Sequence, residues 1–519
     1  MFGGRKQAPW QPNDPIEATA SSMTNQMNQR PYDRLLRRAQ FLLAPTGIDG
    51  YQGWNSCPVG ENLQLWTHPD LEVTRALRNS KRFLLLGDLV CPKRAAMSNE
   101  SLLQALVEEC DSLDDLVRET NACCGRWLMI AQFGASAMLF GDAAGLRQVV
   151  YTSVDTTGTL LCASDPKTIA ERLDLQASPE ASDFIDWFSS INNEYWWPGT
   201  CTLYSEIVQL LPNHSLDLVS GKTSRFWPNR DIEKLHTSDA IHTLSTDLVA
   251  HMTSAANRSD LAFGLSAGMD SRLVLAASKP IKDKLEVYTV KRHYMSQKTP
   301  DVGIPCKLAA KLGLQHRIIE PKRDADAEFS RVFRESTSTP HPFRMGGMQT
   351  NFESFGLNKI AVLGNVSEVA RCYYRPQSPA EPVTGRLLSR LTDMQEHPFS
   401  VRHFDRWLDG LGNMFNVNVL DLFYWEQRTG RWFAGNCLEF DIAWKGVYTP
   451  FNSRDLLAHF LATDEALRAR RNTPLYLDII RELWREVLSE PVNPREKQPI
   501  VIRIIKRLYR HAQALRPRS

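Results

Sequence analysis

No apolar stretch in the 519-residue chain is long enough to cross a bilayer. The longest charge-free run, Trp127 to Gly141, is broken by Gln132, Gly134 and Ser136 and falls short of the ~20 apolar residues a membrane helix needs. The first residues, MFGGRKQAPW, hold no apolar signal core, so a cytoplasmic protein is expected. Cysteine is sparse: ten residues with no C-x-x-C pair, which excludes a disulfide scaffold and points to reduced, mostly core thiols. Charge of one sign is lacking as well. With Lys+Arg 61 against Asp+Glu 59 and a net charge of +2, no global field argues for nucleic acid as a partner. No Walker-type G-x-x-x-x-G-K-[ST] loop occurs, and there is no internal repeat or long low-complexity tract.

What is present is an ordinary globular composition, 43% hydrophobic and 23% charged, in a chain long enough for two large domains or about three. Residues 1–32 are rich in Pro, Gln, Asn and Ser and predict a flexible leader. Asp33 to Leu43 has the pattern of a short helix. From Leu63 to Tyr151, the runs LQLW, RFLLLGDLV, RWLMIAQF and SAMLFGDAAG predict strands punctuated by Gly, Asn and Asp. Ser98 to Leu116 interrupts them with a helical stripe of Leu102, Leu103, Leu106, Val107 and Cys110. Up to about Trp227 the pattern predicts an α+β layered domain.

The texture changes near residue 230. Asp239 to Asn257 reads as a helix, Leu261 to Leu265 as a short buried strand, Arg272 to Ser278 as a helix and Leu285 to Val290 as a strand. Val302 to Leu312 and His316 to Glu320 repeat the helix–strand alternation, which predicts a parallel sheet covered on both faces. After Gly364 the chain reads as mainly helical, as in Leu387–Met394 and Leu475–Val487.

Between the first strand and helix of this second half lies Ser266-Ala267-Gly268-Met269-Asp270-Ser271. A strand–loop–helix junction aims backbone N–H groups and a helix N-terminus at one spot, a site suited to an anion. Gly268 admits close approach of phosphate oxygens, Ser266 and Ser271 offer hydroxyls, and Asp270 can hold the Mg²⁺ that nucleotide phosphates bring. The plainer alternative is a small-residue turn capped by serine.

The loop resembles the S-G-G-x-D-S pyrophosphate loop of the asparagine synthetase-like ATP pyrophosphatases, which include asparagine synthetases, β-lactam synthetases and lasso-peptide cyclases. Ala267 departs from the usual Gly, a change that matters if the position needs positive φ. The resemblance implies that the backbone of LEVYTV flanks adenine, with Tyr288, Thr289 and Val290 as the candidates. It also matches Asp301, a helix and LGLQH to the family's next segment. Gly364-Asn365-Val366-Ser367-Glu368 resembles the G-x-G-x-[DE] loop, which makes Glu368 the second magnesium ligand beside Asp270. Here Val366 replaces a Gly, and Asn365 stands where relatives carry a Glu or Tyr near the reacting centre. TPFNSRDLL (Thr449–Leu457) looks like the family's R-x-PFLD-x-x-L segment. Arg495-Glu496-Lys497 looks like the R-x-K stretch, which implies a catalytic role for Lys497; Lys445 is the next candidate, and a surface lysine is the plain reading.

The first half also resembles the family, as a class II glutamine amidotransferase domain, over GRWLMIAQF, GDAAGLRQVVYT, LLCASDPKTI and LLPNHSLDL. Family glutaminases use a Cys as residue 1, whose α-amine helps activate its thiol. Here Phe2 follows Met1, and Cys57 is the nearest thiol, usable only if a cleavage exposes it. Cys123 and Cys124 look structural. The tail from Arg495 to Ser519 carries eight Lys/Arg against one Glu. It suits a helix docked on its own domain, or an acidic partner or membrane surface.

The combined expectation is a glutaminase-like αββα layered domain over residues 33–230 without its nucleophile. It is followed by a doubly wound parallel-sheet domain over 236–494, of the adenine-nucleotide α-hydrolase-like synthetase type, and a basic tail over 495–519. The resemblance implies an ATP- and Mg²⁺-dependent ligase. It would activate a small-molecule or peptide carboxylate as acyl-adenylate and pass it to an amine from solution, from a partner protein or from the substrate itself. The alternatives are an ammonia-using asparagine synthetase-type amidotransferase and a non-catalytic scaffold paralogue.

Overall fold

The computed structural model describes residues 32–375, 382–469 and 473–494. Most of the leader therefore lies outside the described residues. Tyr32, at its end, packs edge-on against Phe329 and Phe352.

The first half folds as two antiparallel six-stranded sheets. One contains β1 (Phe41–Pro45), β2 (Asn55–Val59), β3 (Leu63–Thr67), β8 (Val150–Thr152), β9 (Cys162–Ala163) and β10 (Ile207–Gln209), in the order β10-β8-β9-β1-β3-β2. The other contains β4 (Val73–Arg78), β5 (Lys81–Val90), β6 (Cys124–Phe133), β7 (Ser136–Gly141), β11 (His214–Asp217) and β12 (Thr223–Arg225), in the order β12-β11-β7-β6-β5-β4. Alternation along the strands divides the side chains between two faces. Phe41, Leu43 and Leu65 of the first sheet meet Leu84, Leu86, Leu128 and Ile130 of the second in a shared core. The opposite face of β5 and β6, with Phe83, Leu85 and Met129, packs under the helices Asn99–Glu109 and Leu113–Thr120. Leu42, Ala44 and Val150 face Ile169 and Ala170 of the helix Pro166–Leu173. The result is the expected αββα layering.

The second half carries a five-stranded all-parallel sheet of β13 (Leu261–Gly264), β14 (Leu285–Val290), β15 (His316–Ile319), β16 (Ile360–Val362) and β17 (Gly446–Tyr448), ordered β15-β14-β13-β16-β17. Helices cover both faces, as a doubly wound sheet requires. Leu261, Phe263 and Val287 pack on the helices Thr237–Arg258, Met269–Ala277 and Pro474–Trp484, while Ala262, Tyr288 and Ala361 face the helices Ala327–Glu335 and Met345–Phe355. Strand order reverses at β13, so crossovers leave it in opposite directions and open a crevice at its carboxyl end.

Some expectations are corrected. Asp33 to Leu43 is a single 3₁₀ turn, Asp33–Leu35, followed by β1. Its apolar residues serve two cores, Leu35 under Phe329 and Phe41 between the sheets. The helix over Ser98 to Leu116 is two helices, because Ser112 caps a second one by accepting from the Asp115 N–H.

The two halves are joined through buried polar contacts. Arg126 Nη1 lies 2.5 Å from Asp441 Oδ1, the side chains being 4% and 1% exposed. Asn452 Nδ2 donates to Asp142 Oδ1 and Gly125 O, and its Oδ1 accepts from the Ala144 N–H. Arg454 Nη2 donates to Gly141 O. Asp441→Asn leaves the Arg126 charge buried without its partner and is expected to destabilise the fold by about 3 kcal/mol. A fall of several degrees in the melting midpoint checks this; an unchanged midpoint would show that the pair does not hold the seam together.

Candidate functional site

The loop Ser266–Ser271 sits at the carboxyl end of β13, where strand order reverses. Its helix begins three residues earlier than the sequence suggested, at Met269, so Met269, Asp270 and Ser271 form the first turn and their amides point out of the N-terminus. Gly268 is the N-cap with φ −74°, an ordinary value. Glycine is needed there for room, since a β-carbon would lie 3.0 Å from Ser266 Oγ. The two serines close the turn: Ser266 Oγ and Ser271 Oγ are 3.1 Å apart, and the Gly268 N–H donates to Ser266 Oγ. Ala267 is not in the left-handed region, so its departure from glycine costs no backbone strain. Its N–H donates to Asp301 Oδ1 at 3.1 Å, which gives Asp301 a definite task of holding the loop.

The second loop follows β16. Gly364 rests on Asp270: a β-carbon there would stand 3.0 Å from the Asp270 Cβ and 3.3 Å from its carbonyl carbon. Val366 is buried with φ +78°, a conformation that costs a β-branched residue of order 1–3 kcal/mol. The loop is held on three sides: Thr449 Oγ1 donates to Asn365 O at 2.7 Å, Tyr476 Oη to Ser367 O at 2.6 Å, and Ser367 Oγ to Asp270 Oδ1 at 2.6 Å.

Asp270 and Glu368 are thus brought together from two strand ends. Burial, and then the charge of Asp270, push the Glu368 carboxyl up to about 7. Arg371, three residues on from Glu368 in the same short 3₁₀ segment Ser367–Arg371, places Nη2 3.4 Å from Asp270 Oδ2 and 3.7 Å from Glu368 Oε1. Burial works against the guanidinium charge, but the two carboxylates outweigh it and raise its pKa. In its donors the pair suits a magnesium ion arriving with phosphates; one positive charge is already built in beside it.

Of the adenine candidates, Val290 lines a cleft of about 680 Å³ beside the loop. Tyr288 is buried against Phe355 and Trp444, and Thr289 Oγ1 donates to Leu265 O, so their side chains belong to the sheet and its cover. The cleft lies over the carboxyl ends of β14, β15 and β16 and includes Asn365, Asn436, Trp432 and Phe433. Asn436 is 2% exposed and its Oδ1 has no hydrogen-bond partner. Arg292 and Arg323, also in the lining, form no ion pair among the described residues.

Lys497 lies outside the described residues. The chain leading towards it passes over the loop: the Asn493 N–H donates to Ala267 O at 3.0 Å, and Arg272 donates to Val487 O, Glu490 O and Pro491 O. Lys445 sits just before β17, at the amino edge of the sheet with its N–H on Lys359 O, on the side away from the loop, and is not a site residue. Cys57 is 5% exposed within β2, and burial raises its thiol pKa. Cys124 lies 3.0 Å from Tyr448 Oη, with its pKa pushed up to about 12 by burial, which fits a structural thiol. Arg371, Ser367 and Tyr476 went unread in the sequence. Only the basic residue at i+3 from Glu368 gave a signal.

No family model and no curated protein matches the chain. Among solved structures it is similar to the glutamine phosphoribosylpyrophosphate amidotransferase from B. subtilis complexed with ADP and GMP (10% identity, 67% of this chain and 75% of that one, TM-score 0.24). It is also similar to the NH3-dependent NAD synthetase from Campylobacter jejuni (13% identity, 38% of this chain and 94% of that one, TM-score 0.20). A third is the glutamine-dependent NAD+ synthetase from Acinetobacter baumannii in complex with ADP (16% identity, 41% of this chain and 30% of that one, TM-score 0.15). These are faint likenesses, and the chemistry of this chain is read from its own residues.

Tyr476→Phe removes a buried donor and leaves Ser367 O unsatisfied, an expected loss of about 1–2 kcal/mol in stability. Ser367→Ala strips a donor from the Asp270 carboxylate and is expected to cost at least as much. Chemical denaturation checks both; a neutral Tyr476→Phe would mean that the loop is not pinned from that side.

Proposed function

We propose that the chain is an ATP-dependent carbon–nitrogen ligase that forms an acyl-adenylate, releases pyrophosphate and AMP, and joins the acyl group to an amine. The observation that carries this reading is the convergence of Asp270, in the first turn after β13, with Glu368, after β16, on either side of the reversal in strand order. Open parallel sheets bind ligands in that crevice.

On this reading the amides of Met269, Asp270 and Ser271 in the first helical turn receive the pyrophosphate portion of ATP, with Ser266, Ala267 and Gly268 around it. Asp270 and Glu368 would hold the magnesium that screens the leaving pyrophosphate. Val290 and the Leu363–Gly364 turn border the space for the adenine. The acyl substrate occupies the rest of the same cleft, where Arg292 and Arg323 suit a carboxylate and Asn365 and Asn436 can hydrogen-bond amide or amine groups. The carboxylate oxygen attacks the α-phosphorus and expels pyrophosphate. The amine nitrogen then attacks the acyl carbon, AMP leaves with the C–O bond, and the amine proton passes to solvent or product. Asn365 cannot take that proton, so the site works by positioning and by stabilising charge. Cys57 is buried within β2 and is not placed to release ammonia from glutamine, so on this reading the amine is supplied with the substrate or from solution. A competing reading, a non-catalytic binding subunit, draws on Asn365 and on the strained Val366.

ATP–pyrophosphate exchange against a panel of carboxylates tests the reading. Asp270→Asn is expected to abolish exchange with the melting midpoint preserved, and equal exchange in that variant would overturn the assignment. Purified protein is expected to release no glutamate from glutamine; stoichiometric glutamate would reveal a missed nucleophile. Lys497→Ala is expected to bind ATP normally and lose about 10²-fold in kcat, as for removal of a donor that acts mainly in the transition state. Turnover within about twofold of the parent would remove Lys497 from the site.

A further inference from the structure

The guanidinium of Arg371 stands between the two carboxylates that the nucleotide reading assigns to magnesium. It is within ion-pair distance of both, at 3.4 and 3.7 Å, yet the structure gives it no hydrogen bond to either. Asp270 meets its own hydrogen-bonding need elsewhere, through Ser367 Oγ on Oδ1 at 2.6 Å. Nε of Arg371 is buried with no hydrogen-bond partner, and the side chain is 12% exposed. A buried guanidinium therefore sits with unspent N–H donors beside the first turn of the helix whose amides face the crevice. Planar guanidinium is the side chain best matched to phosphate oxygens, which it can bind with two parallel N–H bonds.

The position is fixed by the backbone. Ser367–Arg371 is a short 3₁₀ segment entered through Val366 in the left-handed region. Its start is anchored by Tyr476 Oη on Ser367 O. Glu368 and Arg371 at i and i+3 fall on one side of such a turn, which is the side that meets Asp270.

We propose that Arg371 is a resident cation of this site that binds the diphosphate of the nucleotide directly and does part of the charge neutralisation otherwise left to a divalent metal. The inference rests on the nucleotide reading above. It adds that the chain takes a diphosphate-bearing ligand with weak dependence on metal. Without Arg371, Asp270 and Glu368 would present two like charges to an incoming polyphosphate, and binding would need a divalent ion throughout. With it, the pair is already partly neutralised, and the guanidinium donors are free to turn from the carboxylates onto phosphate oxygens.

The test is calorimetric binding of ATP and of inorganic pyrophosphate to the full chain, with magnesium and with excess EDTA, for the parent, Arg371→Met and Arg371→Lys. The parent is expected to lose less than about tenfold in affinity when metal is removed. Arg371→Met is expected to lose about tenfold or more in EDTA and to recover most of it with magnesium, because the metal can then replace the missing charge. Arg371→Lys keeps the charge without the fork and should fall between them. Should Arg371→Met fold poorly, as its melting midpoint would show, the Lys variant carries the comparison. A parent that binds only with magnesium, or a Met or Lys variant with the metal dependence of the parent, overturns the role of Arg371 and leaves the nucleotide reading standing. No binding of ATP or pyrophosphate by the parent in either condition overturns both.

Discussion

Two carboxylates that repel each other, Asp270 and Glu368, are held at one point, and most of the site is arranged around that repulsion. Parallel strands deliver them from opposite sides of the order reversal at β13. The absence of a side chain at Gly364 lets the second loop close onto Asp270. Ser367 gives Asp270 a hydrogen bond, and Arg371 gives both acids a positive charge. Val366 takes the strain of the turn that makes this geometry. Strain of that kind persists only where the surroundings over-determine the backbone, and here Thr449 and Tyr476 reach the loop from two other elements while its own Ser367 ties it to Asp270.

The antiparallel layers of the first half matter to this arrangement through their contacts. In TPFNSRDLL, Asn452 and Arg454 spend their polar atoms on Gly125, Gly141, Asp142 and Ala144 in the sandwich. Thr449, three residues before Asn452, is the residue that holds Asn365. The seam and the second loop are thus consecutive on one stretch of chain. A disturbance in the sandwich reaches the site through a few peptide units, which ties the layered half to the site whatever chemistry it carries itself.

Legibility in the sequence followed the range of the interactions. The long strands β5 and β6, the helix Thr237–Arg258 and the loop at 266–271 are specified by periodicity or local composition, and the sequence shows them. The strands β8 to β12 span two to four residues each, too short for a period of two to register, and they exist because a neighbour pairs with them. Phe41 to Pro45 could not be told from a helix because a short apolar run fits either. In the site, Asp270 and Glu368 were marked by resemblance to known loops. Arg371 was not, because its partner Asp270 arrives from a separate strand, and the i+3 spacing from Glu368 alone is what an ordinary surface ion pair also shows. Lys445 failed because the three-residue strand that follows it was not readable in a stretch that looked helical, so neither was the end of the sheet at which it stands.

The departures from the family pattern become coherent when set against what the proposed reaction demands. Adenylation raises the reactivity of an acyl carbon by giving it a good leaving group, so the protein has mainly to hold reactants and offset charge. Asn365 in place of a proton-transferring residue removes a function that an amine delivered as a free base does not require. Arg371 adds charge where the chemistry concentrates it. On the proposed reading, Arg371 and the first-turn amides remain to offset charge on the phosphates. On that reading, the feature that separates a ligase from a scaffold is a guanidinium with unspent donors beside two carboxylates, since a scaffold has no developing charge to offset.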